Sequence, residues 1–164
     1  MTDAEARTHS VGAEEGEAIW LLGGLYIWRA VEANTGGYSL CEVHGRAGFG
    51  APVHLHEGEN EGFYVIDGLV TLVLGDEEIL LSPGGFGLAP IGVPHTFRLD
   101  SPEARMLLVF TPGAAHEAMF AEMGEPTKAR AIPPALEVPP DLERLAAIAA
   151  RHGTKLLGPP LGPG

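Results

Sequence analysis

The chain contains the sequence Gly48-Phe-Gly-Ala-Pro-Val-His-Leu-His-Glu-Gly-Glu-Asn-Glu61 and, further along, Pro90-Ile-Gly-Val-Pro-His95, and these two blocks decide how its fold is interpreted. Both are short β-like segments with glycine or proline at the turns. Together they hold three histidines and one glutamate that could converge. Imidazole and carboxylate groups bind divalent first-row metals, so the two blocks predict a metal site.

The predicted ligands are His54, His56, Glu61 and His95. His54 and His56 lie two residues apart on one predicted strand, so both side chains point to the same face. Glu61 returns to that face on the next strand, and a turn brings His95 in from a different strand. A His-x-His pair alone is a weak signal, because strand histidines are commonly surface or hydrogen-bonded residues. The full pattern with its turn residues favours metal binding.

The segment from residue 19 to residue 111 has the punctuation of an all-β domain, with short apolar runs separated by Gly, Pro and Asp. Asp67-Gly68 and Gly75-Asp76 predict hairpin turns. Many short strands at regular spacing indicate a barrel or a double-sheet roll. The predicted strands are 19–32, 37–45, 51–57, 61–67, 69–75, 77–82, 85–90, 94–99 and 103–111.

The residues after 112 change in character and predict helices. Ala114 to Met123 is built from strong helix formers. Asp141 starts a second amphipathic helix, which Gly153 ends. A proline-rich linker, 126–140, joins the two helices, and the Gly/Pro-rich tail from 158 is expected to be extended or disordered.

The chain is therefore divided into three parts. The parts are an N-terminal arm (1–18), a β-barrel (19–112) and a helical C-terminal extension with its linker and tail (113–164). The arm is acidic and poor in apolar residues, and we expect it to be mobile or ordered only by a partner.

Composition limits the partners and the compartment. The chain has 22 acidic and 10 basic residues, for a formal net charge of −12. Repulsion from phosphate groups makes nucleic acid and anionic membrane surfaces poor partners. Cys41 is the single cysteine, and the N-terminus is unlike a secretory signal. We therefore expect a cytoplasmic protein that binds a small molecule, with no nucleic-acid or membrane partner.

The two motif blocks resemble the paired motifs of the cupin superfamily over residues 48–98. One departure is Leu99, where the second motif often has Asn, and it removes no ligand. The resemblance implies an antiparallel double-stranded β-helix, the jelly-roll barrel of cupins, here with C-terminal helices. It also implies that the four predicted ligands hold the metal inside the barrel.

A narrower resemblance covers nearly the whole chain after residue 18 and is to bacterial single-domain cupins related to quercetin 2,3-dioxygenase. It implies a metal-dependent dioxygenase that uses O2 and acts on a flavonol-like or other enolisable phenolic substrate. The expected cofactor is one divalent transition metal per chain: Fe, Mn, Ni, Cu, Zn or Co. The segments that carry the resemblance are Leu22–Tyr26, Glu59–Val65, Gly92–Phe97, Phe110–Gly113 and the end near 156–160.

The charge of the site favours an anionic oxygen donor. A divalent metal with three neutral imidazoles and the Glu61 carboxylate carries a net charge of about +1. Glu61 is also the predicted catalytic base. Two alternatives stay open: a sugar or small-molecule isomerase or epimerase, and a non-catalytic ligand- or metal-binding cupin. Arg98 alternates with Phe97 and is expected to point away from the cavity, which argues mildly against a phosphorylated substrate.

Aromatic residues are the candidates for the substrate pocket. Phe63 and Phe97 share strand parity with two of the predicted ligands, so they are expected to form an apolar pocket wall. Tyr26 and Trp28 are further pocket candidates, although packing is the favoured interpretation for both.

Three further expectations concern residues outside the two motif blocks and the assembly. His9, His116 and His152 are expected to face solvent, and Glu59 to solvate its loop or, alternatively, to support the metal site from outside. The apolar segment 19–32 would cover an exposed sheet edge if it were exchanged between subunits, which predicts a homodimer.

Overall fold

The structure is a computed structural model that describes residues 8–164, so the first seven residues of the predicted arm lie outside the described residues. Twelve strands and three helices follow one another within these described residues. Their bounds are β1 (Ala18–Leu21), β2 (Gly24–Ala30), α1 (Glu32–Thr35), β3 (Ser39–Arg46), β4 (Pro52–His56), β5 (Asn60–Asp67), β6 (Val70–Leu74), β7 (Glu77–Leu81), β8 (Phe86–Ala89), β9 (His95–Leu99), β10 (Glu103–Thr111), α2 (Ala114–Met123), β11 (Glu125–Thr127), α3 (Leu142–Arg151) and β12 (Thr154–Pro160).

The strands form two antiparallel sheets. One has seven strands in the order β11-β1-β2-β3-β10-β5-β8, and the other has five in the order β12-β4-β9-β6-β7. Between β3 and β10 the chain crosses from one sheet to the other at every connection except the β6–β7 hairpin, as in a jelly roll. The predicted all-β jelly roll with C-terminal helices is confirmed, although the two sheets stay separate and do not close into one barrel.

The hydrophobic core lies between the sheets because alternate residues of each strand point inwards. On β10 the buried residues are Ala104, Met106, Leu108 and Phe110, and the residues between them are more exposed. Burial of this apolar surface is the main favourable contribution to folding. The alternation fixes the strand register, because a slip of one residue would expose the whole inner face.

The prediction of one strand over 19–32 is wrong. The segment forms the hairpin β1–β2 and then the short helix α1. Leu22 and Gly23 make the turn with positive φ angles of 52° and 94°, and glycine adopts this conformation at little cost. The other predicted strands correspond to β3–β10, with ends shifted by at most two residues.

The part of the chain after residue 112 contains more than the two expected helices. Helix α2 has the predicted bounds, and α3 begins after Asp141, whose side chain caps it by accepting a hydrogen bond from the backbone N–H of Arg144 (3.0 Å). Two strands were not predicted: β11 pairs with β1, and β12 pairs with β4. Glycine and proline argue against a strand, but β12 lies at a sheet edge, where proline is tolerated.

The segment that we expected to be exchanged between subunits is paired within its own chain. In the described part of the molecule, β1 lies between β11 and β2, and β2 also pairs with β3. This pairing removes the stated reason for exchange, and the homodimer stays a prediction. Among residues 8–164, no helix has the length and apolarity needed to cross a bilayer.

Arg29 connects the described part of the arm to the seven-stranded sheet. Its guanidinium donates hydrogen bonds to the backbone carbonyls of Gly12, Ala13 and Glu15 and to the carboxylate of Glu42 (2.9 Å). Burial alone would raise the pKa of Glu42, but hydrogen bonds from His44 and Arg29 outweigh it and hold that pKa below its usual value.

Replacement of Glu42 by Gln is therefore expected to lower the free energy of unfolding at neutral pH by about 1.5–3 kcal/mol, the range for hydrogen bonds to charged groups. Because the pKa of Glu42 is lower in the folded state, its stabilisation is present above the ordinary value of 4.5 and is lost as the pH falls through the folded value. Urea unfolding of both proteins across this pH range measures the effect. The exposed Glu103→Gln is the control, and a pH-independent difference for Glu42→Gln would contradict the prediction.

Candidate metal centre

The four predicted ligands come together between the two sheets. His54 and His56 lie on β4, which pairs with β9 so that His54 is opposite His95. Glu61 lies on β5 in the other sheet. We call these four residues the His–Glu cluster.

Gly50 allows the chain to approach β9 closely just before β4 begins. It forms an isolated β-bridge with Arg98, and a Cβ atom at Gly50 would lie 2.1 Å from the backbone oxygen of Phe97. Any side chain there would push β4 away from β9. This glycine therefore helps to set the distance between the histidines of the two strands.

The ligand atoms of the His–Glu cluster converge on one point. Glu61 Oε2 lies 2.8 Å from His56 Nε2, 3.0 Å from His95 Nε2 and 3.7 Å from His54 Nε2. All four ligand atoms lie within 4.8 Å of one another, and all four residues are buried. Three imidazole nitrogens and one carboxylate oxygen suit a divalent transition metal. The cluster could hold such an ion, and which metal it takes stays a prediction.

Hydrogen bonds behind the cluster orient each imidazole. The Nδ1 atoms of His54 and His95 donate to backbone carbonyls two residues earlier in the chain, at 2.7 and 2.8 Å. His56 Nδ1 lies 2.9 Å from the hydroxyl oxygen of Thr154 on β12. Because these contacts hold a proton on Nδ1, each Nε2 can offer its lone pair to a metal that binds at the shared point, as in metal sites whose outer contacts fix the tautomer. Sequence reasoning missed Thr154 because β12 was not predicted.

Replacement of Thr154 by Val is expected to weaken metal binding by about 10- to 100-fold, because Val keeps the shape but offers no acceptor to His56 Nδ1. Competition with a coloured chelator measures the affinity. Thr127→Val on β11 changes the same residue type away from the cluster and should leave the affinity unchanged. Equal affinities of the wild type and Thr154→Val would refute the orienting role of the hydroxyl.

The protonation states of the His–Glu cluster favour the binding of a cation. Burial raises the pKa of Glu61, but the close imidazoles of His54, His56 and His95 outweigh it and hold that pKa well below its usual value. Burial lowers the pKa of His56 to about 4 despite the opposing effect of Glu61. For His95, burial lowers the pKa, but the hydrogen bond and charge of Glu61 and the contact with the Val93 carbonyl together outweigh it and raise the pKa. Glu61 is thus ionised and His56 neutral at neutral pH.

The cluster opens onto an apolar cavity of about 80 Å³. The walls come from the β1–β2 hairpin, the inner faces of both sheets, and helices α2 and α3. Among the described residues, the cavity has no Lys or Arg in its lining. Its polar lining residues are His54, Glu61, His116, Thr154 and the hydroxyl-bearing Tyr26.

The structure places the four aromatic pocket candidates differently. Tyr26 and Phe97 line the cavity, whereas Phe63 and Trp28 do not. Phe63 is fully buried in the core beside the ring of His95, with centroids 6.0 Å apart. Trp28 packs against aromatic rings of β10 and α2. Burial raises the pKa of Tyr26 far above its usual value, so its hydroxyl stays protonated.

The expectation that His116 faces solvent is wrong, and so is the loop-solvating role of Glu59. Both are buried, with 3% and 4% of their surface exposed, and they form a hydrogen-bonded pair. Helix α2 folds back over the cluster and brings the His116 ring to 4.3 Å from the ring of His56. His152 is the partly exposed partner of Glu122, and His9 is exposed as expected.

Two antiparallel sheets with three histidines and a glutamate converging between them define a jelly-roll protein with a candidate metal centre. Residues 41–117 match the cupin domain family, and the chain belongs to the cupin superfamily. It is 35% identical over 123 residues, or 73% of its length, to quercetin 2,3-dioxygenase of Bacillus subtilis (strain 168). The match spans 36% of that protein, so the chain covers just over a third of this curated relative.

Solved structures show the same fold at low sequence identity. KdgF from Halomonas sp. superimposes with a TM-score of 0.58 at 23% identity, over 65% of this chain and 94% of that one. An RmlC-like cupin from Shewanella frigidimarina NCIMB 400 gives a TM-score of 0.59 at 16% identity, over 66% and 94% of the two chains. At these identities the likeness establishes the fold alone.

Proposed function

We propose that the protein is a metal-dependent dioxygenase that binds a flavonol-like or other enolisable phenolic substrate through an oxygen donor. The observation that carries the proposal is the His–Glu cluster opening onto an apolar cavity whose described lining has no Lys or Arg. A bound divalent metal would supply the positive charge that holds an anionic oxygen and the redox chemistry for O2. The sequence identity to a quercetin 2,3-dioxygenase supports the same reaction class.

Glu61 has the position and charge of a base. Its carboxylate is ionised, and its Oε2 faces the three Nε2 atoms at the point where a substrate oxygen would arrive. A carboxylate within hydrogen-bond reach of a hydroxyl accepts its proton as the hydroxyl becomes an anionic donor. The apolar wall excludes water and so strengthens the attraction between the anionic oxygen and the site.

The size of the cavity bears on the substrate. Its volume of about 80 Å³ is below the range of about 300–1,000 Å³ that encloses drug-sized ligands. A three-ring flavonol therefore requires that the wall formed by α2 and α3 move outwards. A single-ring enolisable phenol requires less movement.

The lining also bears on the sugar-phosphate alternative. Arg98 lies outside the cavity lining, where its guanidinium donates to Asp100 (2.6 Å) and to the carbonyl of Gly162 (2.9 Å). Phosphate sites use clustered charge-assisted donors, and the described cavity wall offers none from Lys or Arg. This absence favours an uncharged aromatic body over a phosphorylated sugar.

The test is oxygen consumption by metal-loaded protein. Protein loaded separately with Fe, Mn, Ni, Cu, Co or Zn is incubated with flavonols and with smaller enolisable phenols under O2, and both oxygen uptake and substrate loss are followed. We expect turnover with at least one redox-active metal and a loss of about 10²- to 10⁴-fold in Glu61→Gln, the contribution typical of a general base. Absence of both signals with every metal would remove the proposal.

A further inference from the structure

The ring of His116 is held in one orientation by three neighbours. Its Nδ1 donates to the Glu59 carboxylate, and its plane stacks on Phe110 with centroids 3.7 Å apart and an angle of 15°. The edge contact with His56 has an angle of 78°. A side chain fixed in this way needs no reordering when it forms a further hydrogen bond, so that bond is entropically favoured.

Glu59 is itself fully engaged in holding this ring. One carboxylate oxygen accepts hydrogen bonds from the backbone N–H groups of Gly113 (2.8 Å) and Ala115 (3.0 Å), and the other accepts from His116. A buried carboxylate is costly unless its hydrogen bonds are satisfied, and here they are. The loop before β5 and the start of α2 are thereby joined around one imidazole.

The remaining nitrogen of His116 faces the cavity. His116 lines the cavity, and its Nδ1 is occupied by Glu59. Within residues 8–164, no fully buried side-chain nitrogen or oxygen lacks a hydrogen-bond partner, and the structure gives Nε2 no protein partner. His116 Nε2 is therefore accessible from the cavity, although only 3% of the surface of His116 is exposed.

The Tyr26 hydroxyl is the second group of this kind. Tyr26 is 5% exposed and lines the cavity, and its ring packs edge-on against Phe120 with centroids 5.1 Å apart. By the same reasoning, its hydroxyl has no partner in the described protein and is accessible from the cavity. The other uncommitted parts of the wall are apolar, so polar atoms of a ligand pair with these two groups.

We propose that Glu59 and His116 form a substrate-anchoring pair that selects aromatic compounds with a second oxygen substituent. His116 Nε2 hydrogen-bonds this oxygen while the first oxygen is held at the His–Glu cluster, and Glu59 positions the imidazole. A hydroxyl both donates and accepts, so it pairs with Nε2 in either protonation state of the ring. The ligand class is therefore dihydroxylated aromatics, with monophenols bound more weakly. The first contact rests on the proposed function.

The test compares the binding of small phenols to zinc-loaded protein, in which the metal is redox-inert and no turnover intervenes. Titration calorimetry gives the affinities of phenol, catechol, resorcinol and hydroquinone. We expect at least one dihydroxybenzene to bind about 3- to 10-fold more tightly than phenol, the gain expected from one hydrogen bond. In His116→Phe this gain is lost, while the affinity for phenol changes by less than about twofold.

Further variants separate anchoring from a structural role. His116→Gln keeps a polar group in the cavity and should restore part of the gain, and Glu59→Gln should reduce the gain without changing phenol binding. The double variant Glu59→Gln with His116→Phe avoids a buried unpaired carboxylate and serves if His116→Phe folds poorly. His152→Phe is the matched control, since His152 pairs with Glu122 on the surface.

Two outcomes would overturn the proposal: no dihydroxybenzene binds more tightly than phenol, or the gain persists in His116→Phe. Persistence would show that the second oxygen pairs with another group, either the zinc or the Tyr26 hydroxyl, and not with His116. Failure of the proposed dioxygenase is a separate result, because zinc-loaded protein tests binding alone. Equal binding of phenol to metal-free and zinc-loaded protein would disprove the contact with the His–Glu cluster. The gain in affinity of a dihydroxybenzene over phenol, compared between wild type and His116→Phe, would still test the contact with His116.

Discussion

Replacement of His95 by Ala is expected to abolish stoichiometric metal binding, from about one ion per chain to less than about one tenth. His95 is 1% exposed, and its Nε2 lies 3.0 Å from Glu61 Oε2 at the convergence point. Loss of an outer contact weakens metal affinity by about 10- to 100-fold, and loss of a ligand atom should cost more. Elemental analysis after reconstitution with excess metal and desalting measures the change.

The matched control for this prediction is His44→Ala. His44 is also a strand histidine bonded to a glutamate, but it lies on β3 with Glu42, apart from the His–Glu cluster. It should retain full metal content. A second readout is thermal unfolding, because a metal that binds only the folded state raises the melting temperature. Metal should raise this temperature for the wild type and His44→Ala, and a similar rise for His95→Ala would disprove ligation by His95.

Replacement of Phe63 by Ala is expected to destabilise the fold by about 3–5 kcal/mol, the range for large-to-small changes at a fully buried aromatic residue. Phe63 has no exposed surface and packs against the rings of His95 and Phe97, with centroids 6.0 Å away in each case. Both neighbouring rings are held on β9, so they cannot close the resulting void without moving that strand. Urea unfolding gives the free-energy difference.

Phe86→Ala is the corresponding control, because Phe86 is 58% exposed on the edge strand β8. The same change there should cost less than about 1 kcal/mol, as is usual for surface substitutions. A comparable loss at both positions would show that Phe63 is not a core residue. The two variants also test whether Phe63 belongs to the core and not to the cavity wall. If Phe63 lined the substrate cavity, its loss would affect ligand binding more than folding.

The fold and the ligand set could be predicted because their signals are local. Strands β3–β10 follow from alternating apolar residues and from turn residues within each short segment. His54 and His56 lie two residues apart on β4, so strand geometry alone gives them a common face. Glu61 follows five residues later and faces them from β5 in the other sheet. For His95 the sequence predicted only that a turn brings it in from a different strand, and the structure shows that this strand, β9, lies beside β4.

The surroundings of the cluster could not be predicted because they depend on contacts between distant parts of the chain. His116 is 57 residues from Glu59, and nothing in the composition of α2 distinguishes a buried histidine from an exposed one. The glycine and prolines of β12 concealed a strand that only its edge position permits. The hairpin in 19–32 was missed because its apolar residues continue on both sides of the turn.

The pairing of β12 with β4 has a consequence for the order of events during synthesis. Thr154 is added to the growing chain 98 residues after His56, whose ring it orients. By the time β4 leaves the ribosome, two histidines of the cluster are present but one of them has no Nδ1 partner. Because β12 is the last strand of the chain, the cluster has all of its hydrogen-bond partners only after the final strand has paired with β4.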